Sequence, residues 1–386
     1  HGGGALTAIL SLAGSSDTIT FSGGFPAPET FPVAVLSDVL ADLLENDAGG
    51  ALQYSPTEGL ASSRLAIADL VEAGQGIRAE PDGVLVTSGG IEALQLLARV
   101  FLEPGDRVVV EAPSYLGALM AFTGSEARVT GVAMDGEGLV VDDLEAILST
   151  GVRPKLAYVI PDHQNPTGLS LSIQRRQALV ECCRRYGVLL VEDVAYRDLG
   201  FDGKPLPSLW SLGPDVVLQI GTFSKILFPG IRLGWAIGPR VVVDAMAAAK
   251  QNSDQCAGAL GQRIMERFVA GDHFPAHLTE ARALYARRAE KMLGALEHHM
   301  PREISWTTQA GGFFVWLTAG PHTDATGLTA GARLLDVAYV PGAPFYVDGR
   351  GKNQMRLSYS RVRESDIDEG VARLAKLLQD ELRRTP

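Results

Sequence analysis

Cysteine is scarce in this chain of 386 residues: Cys182, Cys183 and Cys256 are the only three. Two are neighbours inside a helical pattern, and none has a partner at metal-ligand spacing. No disulfide framework and no zinc site are therefore expected, and the thiols read as reduced ones of a cytosolic, cytoplasmic protein. No apolar run approaches the roughly 18–20 residues of a membrane-spanning helix, which argues against a membrane partner. Excess positive charge is missing as well. With a net charge of −11 the chain lacks the basic footprint that nucleic acid requires. The opening His1-Gly2-Gly3-Gly4 has neither a cationic region nor a long apolar core, so it does not read as a signal peptide. No internal repeat and no low-complexity linker is found. What is present is a globular composition, 46% hydrophobic and 20% charged. The length suits two domains, or one large core with a smaller partner.

Residues 5–13 form a short apolar helix candidate. The turn-rich Ser22-Gly23-Gly24-Phe25-Pro26-Ala27-Pro28 follows, and its glycines let the backbone approach another group closely. Helical periodicity covers Phe31–Leu44 and Leu60–Ala73, and the irregular Ala51–Gly59 between them holds Tyr54. From residue 84 short apolar runs alternate with helical stretches. Strands are expected at Val84–Thr87, Arg107–Glu111, Arg128–Ala133, Leu156–Ile160, Val188–Val191, Val216–Ile220 and Leu233–Ile237. Helices between them include Ile91–Leu102, Asp142–Leu148 and Ile173–Tyr186. Continuous apolar strands separated by helices predict an α/β fold: a mostly parallel seven-stranded sheet flanked by helices.

Beyond Val241 the chain turns helical, and His277–His298 reads as one long helix. Strands at Glu303–Trp306, Gly312–Leu317 and Gln354–Tyr359, with helices at Ala325–Val337 and Glu364–Leu382, predict a smaller α+β domain. The expected division is an N-terminal segment, residues 1–45, packing with the small domain. A large domain over 46–280 and a small C-terminal domain over 281–386 complete it.

Ligands of parallel sheets bind beyond the carboxyl ends of the strands, so the residues there carry the functional argument. Ser88-Gly89-Gly90 opens a helix and offers free N–H groups to an anion such as phosphate, although it is neither a Walker loop nor a full Gly-x-Gly-x-x-Gly. Tyr115 follows the next strand and could present a ring face to a flat ligand. Asn165-Pro166-Thr167-Gly168 is an unusual turn at a strand exit. Glu192-Asp193 ends an apolar strand, where unpaired carboxylates are costly, and Tyr196 lies three positions on. Lys225 stands among Thr222 and Ser224 after another buried strand, with Arg232 seven residues later. Alone it reads as a snorkelling surface lysine. Desolvated at a strand end, its amine becomes a nucleophile able to form a Schiff base with an aldehyde. Anion nest, aromatic ring, amide, carboxylate, phenol, lysine and arginine together are the set that pyridoxal 5′-phosphate needs.

In order and spacing, Asn165-Pro166-Thr167-Gly168, Glu192-Asp193-Val194-Ala195-Tyr196, Ser224-Lys225 with Arg232-Leu233-Gly234-Trp235, and Arg356-Leu357-Ser358-Tyr359 resemble the class I/II aminotransferases, the fold type I, aspartate-aminotransferase-like pyridoxal-phosphate enzymes. The resemblance runs from about Phe21 to the end. The segment Ser22–Pro28 with Phe31-Pro32 looks most like the aminoadipate/kynurenine-type branch, which also supplies effector domains of MocR-type regulators. It implies an aminotransferase moving an amino group between an L-amino acid and a 2-oxo acid by ping-pong transamination. Lys225 is implied as the Schiff-base lysine and proton shuttle, Asp193 as the pyridinium partner, and Tyr196 and Asn165 as partners of the ring oxygen. Tyr115 is implied as the stacking aromatic, and Ser88, Gly89, Gly90, Thr222, Ser224 and Arg232 as the phosphate cup. Arg356 would bind the substrate carboxylate, with Gly24 in the segment that closes over the substrate. Tyr54 would reach the phosphate of a neighbouring subunit, implying a homodimer with shared active sites.

The sequence departs from the family at two places. Ser88-Gly89-Gly90-Ile91-Glu92 follows the strand where Gly-Ser/Ala-Gln-Gln is common, which weakens the expectation of phosphate contacts there. Thr7 stands where members that read an acidic side chain carry arginine, and no Lys or Arg precedes Arg64. A neutral or cationic substrate side chain is favoured accordingly. Alternatives from the same residues are another pyridoxal-phosphate reaction, such as β-elimination, or the oxidation or cyclisation of a basic amino acid, and a non-catalytic ligand-sensing domain. The room for an N-terminal DNA-binding module is lacking in this sequence.

Overall fold

The computed structural model describes residues 18–384 apart from 152 and 272. The helix candidate at 5–13 and Thr7 lie outside the described residues. Val84–Thr87, Leu156–Val159 and Gly234–Ile237 are buried along their whole length, as continuous apolar strands covered on both faces must be. They lie in one sheet of eight strands. Its order is Val84–Thr87, Gly234–Ile237, Val217–Thr222, Leu189–Asp193, Leu156–Val159, Arg107–Ala112, Arg128–Asp135, Gly138–Leu139. All seven expected strands are there. The eighth, Gly138–Leu139, is a two-residue edge strand that folds back antiparallel on Arg128–Asp135 and is too short to leave a periodic signal.

Gly234–Ile237 is antiparallel to both neighbours, while the pairings among Val217–Thr222, Leu189–Asp193, Leu156–Val159, Arg107–Ala112 and Arg128–Asp135 are parallel. The register then decides what meets at one edge. Asp193 pairs with Ile220, and Gly234 stands opposite both Thr222 and Thr87. The carboxyl ends of Val84–Thr87, Leu189–Asp193 and Val217–Thr222 therefore open on the same side as the start of Gly234–Ile237, with the Gly90–Phe101 helix starting beside them.

The 27-residue helix His273–His299, about 40 Å long by helix rise, leaves the large sheet and packs along the C-terminal helix Ile367–Arg384. A four-stranded antiparallel sheet follows, in the order Ser305–Trp306, Phe314–Thr318, Gln354–Ser358, Val340–Pro341. The helix expected at Ala325–Val337 is much shorter, Thr329–Leu334. Asp336 takes a left-handed φ of +51°, which stops the helix, and Val337–Ala338 instead forms a parallel pair with Ile19–Thr20. That pair ties the N-terminal segment to the C-terminal part of the chain. A small apolar cluster of Leu116, Trp316, Val340 and Phe345 joins the helix after Tyr115 to the small sheet, directly beside the sheet edge described above.

Candidate active site

A cavity of about 280 Å³ opens at that edge. Lys225 enters it from the loop after Val217–Thr222, and its Nζ donates to the carbonyl of Gly24 at 2.8 Å. Burial, then the positive charges of Arg356 and Arg232, push its ammonium down to about 8, and Asp193 opposes them. Packing against Phe314 holds position 24 to glycine: a Cβ there would stand 2.7 Å from the Phe314 ring.

Asp193 ends its strand facing the cavity. Its Oδ2 accepts the Tyr158 hydroxyl at 2.8 Å and its Oδ1 accepts the Ala195 N–H at 3.0 Å. Burial raises its carboxyl above the usual range, while Tyr158, Ala195 and Lys225 hold it back. Glu192, one residue earlier, points to the opposite face as strand alternation demands. There it accepts the N–H groups of Leu209 and Trp210 at 2.7 and 2.9 Å and the Gln219 amide at 2.6 Å. The acidic pair thus divides into a structural anchor and a carboxylate of the site.

Arg356, on Gln354–Ser358, crosses from the small sheet. Its Nη1 donates to Asn165 Oδ1 at 2.8 Å and its Nη2 to the Ser22 carbonyl at 2.7 Å. Phe314 and Phe345 lie against the guanidinium, 4.4 and 5.2 Å from ring centroid to Cζ. Its Nε is buried without a partner, and the ion pairs among the described residues include none to Arg356. Burial lowers its pKa to about 10, so it stays charged at neutral pH. A buried cation that has only neutral acceptors is prepared for an anion. The Asn165 side chain also hydrogen-bonds the Tyr196 hydroxyl, and the Tyr196 ring meets Phe313 and Phe314 edge-on at 5.5 and 5.6 Å. Tyr115 lines the same wall.

At the other end, Gly90, Thr222, Ser224 and Arg232 converge. Arg232 takes φ +51° and sends Nη2 to the Ser88 carbonyl at 3.1 Å. Gly89, at φ +100°, lies so close that a Cβ would be 2.7 Å from that nitrogen. Three expected residues do not line the cavity. Ser88 gives its N–H to Glu92 and its hydroxyl to Asp254, at 2.5 and 2.8 Å. Gly89 acts on the cavity only through Arg232. Tyr54 is 81% exposed. Missed from the sequence were Tyr158, hidden inside an apolar strand where one phenol reads as core, and the apolar wall of Phe25, Ile91, Leu116 and Phe345. Only the position of Ile91 and Leu116 just past strand ends could have flagged them.

The donor set suits an anionic, planar aldehyde: a helix N-terminus, two hydroxyls and a guanidinium at one end, a buried carboxylate at the other, and an amine between. Comparison with known proteins agrees. The family model for aminotransferase class I and II matches residues 17–374. Aromatic-amino-acid aminotransferase 1 of Thermococcus litoralis is 38% identical over 381 residues, 97% of this chain and 91% of that protein. The solved kynurenine aminotransferase of Pyrococcus horikoshii is 39% identical with a TM-score of 0.94, covering 98% of this chain and 94% of that one. The α-aminoadipate aminotransferase of Thermus thermophilus, solved with N-(5′-phosphopyridoxyl)-L-leucine, is 37% identical with a TM-score of 0.92, covering 100% and 98%. This chain belongs to the class I and II aminotransferases. It is a pyridoxal-phosphate-dependent aminotransferase of the fold type I architecture.

Proposed function

We propose that Lys225 is the residue that carries the cofactor and shuttles the proton, in a transamination between an L-amino acid and a 2-oxo acid. One observation carries this reading: a single amine, lowered to about 8, shares one cavity with a buried carboxylate and an arginine that has no anionic partner. Pyridoxal 5′-phosphate supplies, when bound, an aldehyde that condenses with amines and a ring that withdraws electrons. Gly90, Thr222, Ser224 and Arg232 would hold its phosphate, Asp193 its protonated ring nitrogen, Tyr196 and Asn165 its ring oxygen, and Tyr115 its face. Arg356 binds the substrate α-carboxylate through Nη1 and Nη2, exchanging its bond to the Ser22 carbonyl for charge-assisted bonds. Lys225 Nζ, about half of it neutral near pH 8, takes up the Cα proton and returns it. Gly24 and Phe25 cover the amine and help exclude water.

The substrate side chain is read as neutral and apolar or aromatic. Phe25, Ile91, Leu116 and Phe345 supply an apolar wall, and the three cations of the cavity already have other tasks. The relatives named for aromatic amino acids and kynurenine support this. Tyr54, exposed on the single chain beside exposed Leu52, fits a homodimer in which it completes the neighbouring site. The domain division at residues 45 and 280, and a cytoplasmic location, complete the proposal. Among the described residues no helix is long and apolar enough to cross a membrane.

Borohydride reduction of the holoenzyme followed by peptide mass spectrometry tests the assignment. A phosphopyridoxyl mass is expected on Lys225, and Lys225→Ala should lose transamination. The mass on another lysine would overturn the reading. For the substrate, phenylalanine and kynurenine are expected to exceed glutamate as amino donors to pyruvate, and the reverse order would refute the apolar-wall argument.

A further inference from the structure

The departure Gly90-Ile91-Glu92 leads to a buried lysine that the transamination reading does not use. Lys250, on the helix Arg240–Gln251, has a side chain with no exposed surface. Its Nζ lies 2.9 and 2.8 Å from the two oxygens of Glu92 and 2.8 Å from both oxygens of Asp254. Both carboxylates then close on Ser88, Glu92 through the backbone N–H and Asp254 through the hydroxyl. The remaining polar group of Ser88, its carbonyl, receives Arg232. A chain of direct contacts therefore runs from Lys250 to the guanidinium at the anion end of the cavity.

The charges matter because Glu92 sits in the first turn of the helix whose N-terminus faces that end. A carboxylate there is stabilised by the helix dipole but competes with any other anion for the same field. Two carboxyls and one ammonium leave at most one net negative charge behind the loop, because burial and the bond to Asp254 raise Glu92; without the ammonium the charge would be more negative, by up to one. We propose that Lys250 is a positioning residue for phosphate binding: it permits Glu92 and Asp254 to fix Ser88, and through it Arg232, while cancelling charge that would repel the phosphate. This rests on the reading of Gly90, Thr222, Ser224 and Arg232 as the phosphate end.

The test compares pyridoxal 5′-phosphate with pyridoxal, which lacks the phosphate, by absorbance titration of the cofactor-free protein. Four proteins form a charge series at nearly constant shape. Lys250→Met leaves up to two negative charges and the natural chain up to one. Lys250→Met with Glu92→Gln and Asp254→Asn leaves none, and Glu92→Gln with Asp254→Asn leaves one positive charge. The amides keep acceptor oxygens for Ser88. The ratio of the two affinities is expected to rise through the series, roughly fivefold per charge, the lower end of ordinary site-to-site coupling. A ratio that stays flat overturns the proposal, as does Lys250→Met weakening both ligands equally. If Lys250→Met fails to fold, the other three proteins still carry the trend. A natural chain that binds the two ligands equally would instead refute the phosphate end itself.

Discussion

Replacing Tyr158 by Phe removes one hydroxyl from a fully buried place and leaves the ring, including its edge-on contact with Phe122 at 5.8 Å. The lost bond is the 2.8 Å donation to Asp193 Oδ2. A hydrogen bond to a charged group contributes about 1.5–3 kcal/mol, which corresponds to about 1–2 pKa units. The sign follows from the partner. The hydroxyl favours the ionised carboxylate, and burial already raises Asp193 above its usual range. With the hydroxyl gone only the Ala195 N–H and the charge of Lys225 remain, so Asp193 takes a proton at still higher pH. In the holoenzyme the acid limb of kcat/KM should move up by about 1–2 units, with rates on that limb falling by about ten- to a hundredfold at a given pH. KM for the amino donor should change little, because the bonds of Arg356 are untouched. The assay is a pH series of initial rates for both proteins, with circular dichroism to confirm the fold. An unmoved acid limb with full activity would refute the role given to Tyr158 and weaken that of Asp193.

Three further outcomes can be checked. Arg356→Met should raise KM for amino acids by about two orders of magnitude, the scale of a lost buried charge-assisted contact of about 3 kcal/mol, while borohydride labelling of Lys225 persists; an unchanged KM would remove Arg356 from carboxylate binding. Glu111 is buried with Oε1 unpartnered, and desolvation raises its carboxyl to about 8. Because the folded value lies above the unfolded 4.5, this group's contribution to stability is full below pH 4.5 and is lost as pH rises toward 8. Urea midpoints of Glu111→Gln should lack that decline, and parallel pH curves for the two proteins would contradict it. Gly89→Ala places a Cβ at φ +100° and 2.7 Å from Arg232; a loss of about 1–3 kcal/mol is expected in denaturant unfolding, together with weaker retention of the phosphate-bearing cofactor on dialysis.

Much of the site could be read along the chain because it stands at strand ends. Buried parallel strands are continuous apolar runs, so their exits are visible, and a polar residue just past an exit is conspicuous. Lys225, Asp193 and Asn165 stand out in that way, and Arg232 by its place seven residues after Lys225, just before the next apolar run. Tyr158 was not, because its hydroxyl lies inside a strand and its task depends on which neighbour the sheet order brings beside it. The short Gly138–Leu139 and Val337–Ala338 strands were missed for a similar reason: two residues have no period, and their pairing partners are set by the rest of the fold.

The sequence by itself determined the alternation of strands and helices, the inventory of chemical groups and the order in which they arrive. Hydrophobic period and residue chemistry are local, and they survive without coordinates. Tertiary structure decided which group faces which. Glu192 and Asp193 are adjacent in sequence, yet one anchors a turn and the other faces the cavity, because strand alternation sends them to opposite sides. Ser88 looked like a phosphate ligand until Glu92 and Asp254 took its N–H and hydroxyl. Lys250 could not be told from any other lysine of a helix until packing buried it against two carboxylates more than 150 residues and four residues away. Hydrogen bonds and charge pairs between distant segments are made by packing, and no local pattern encodes them.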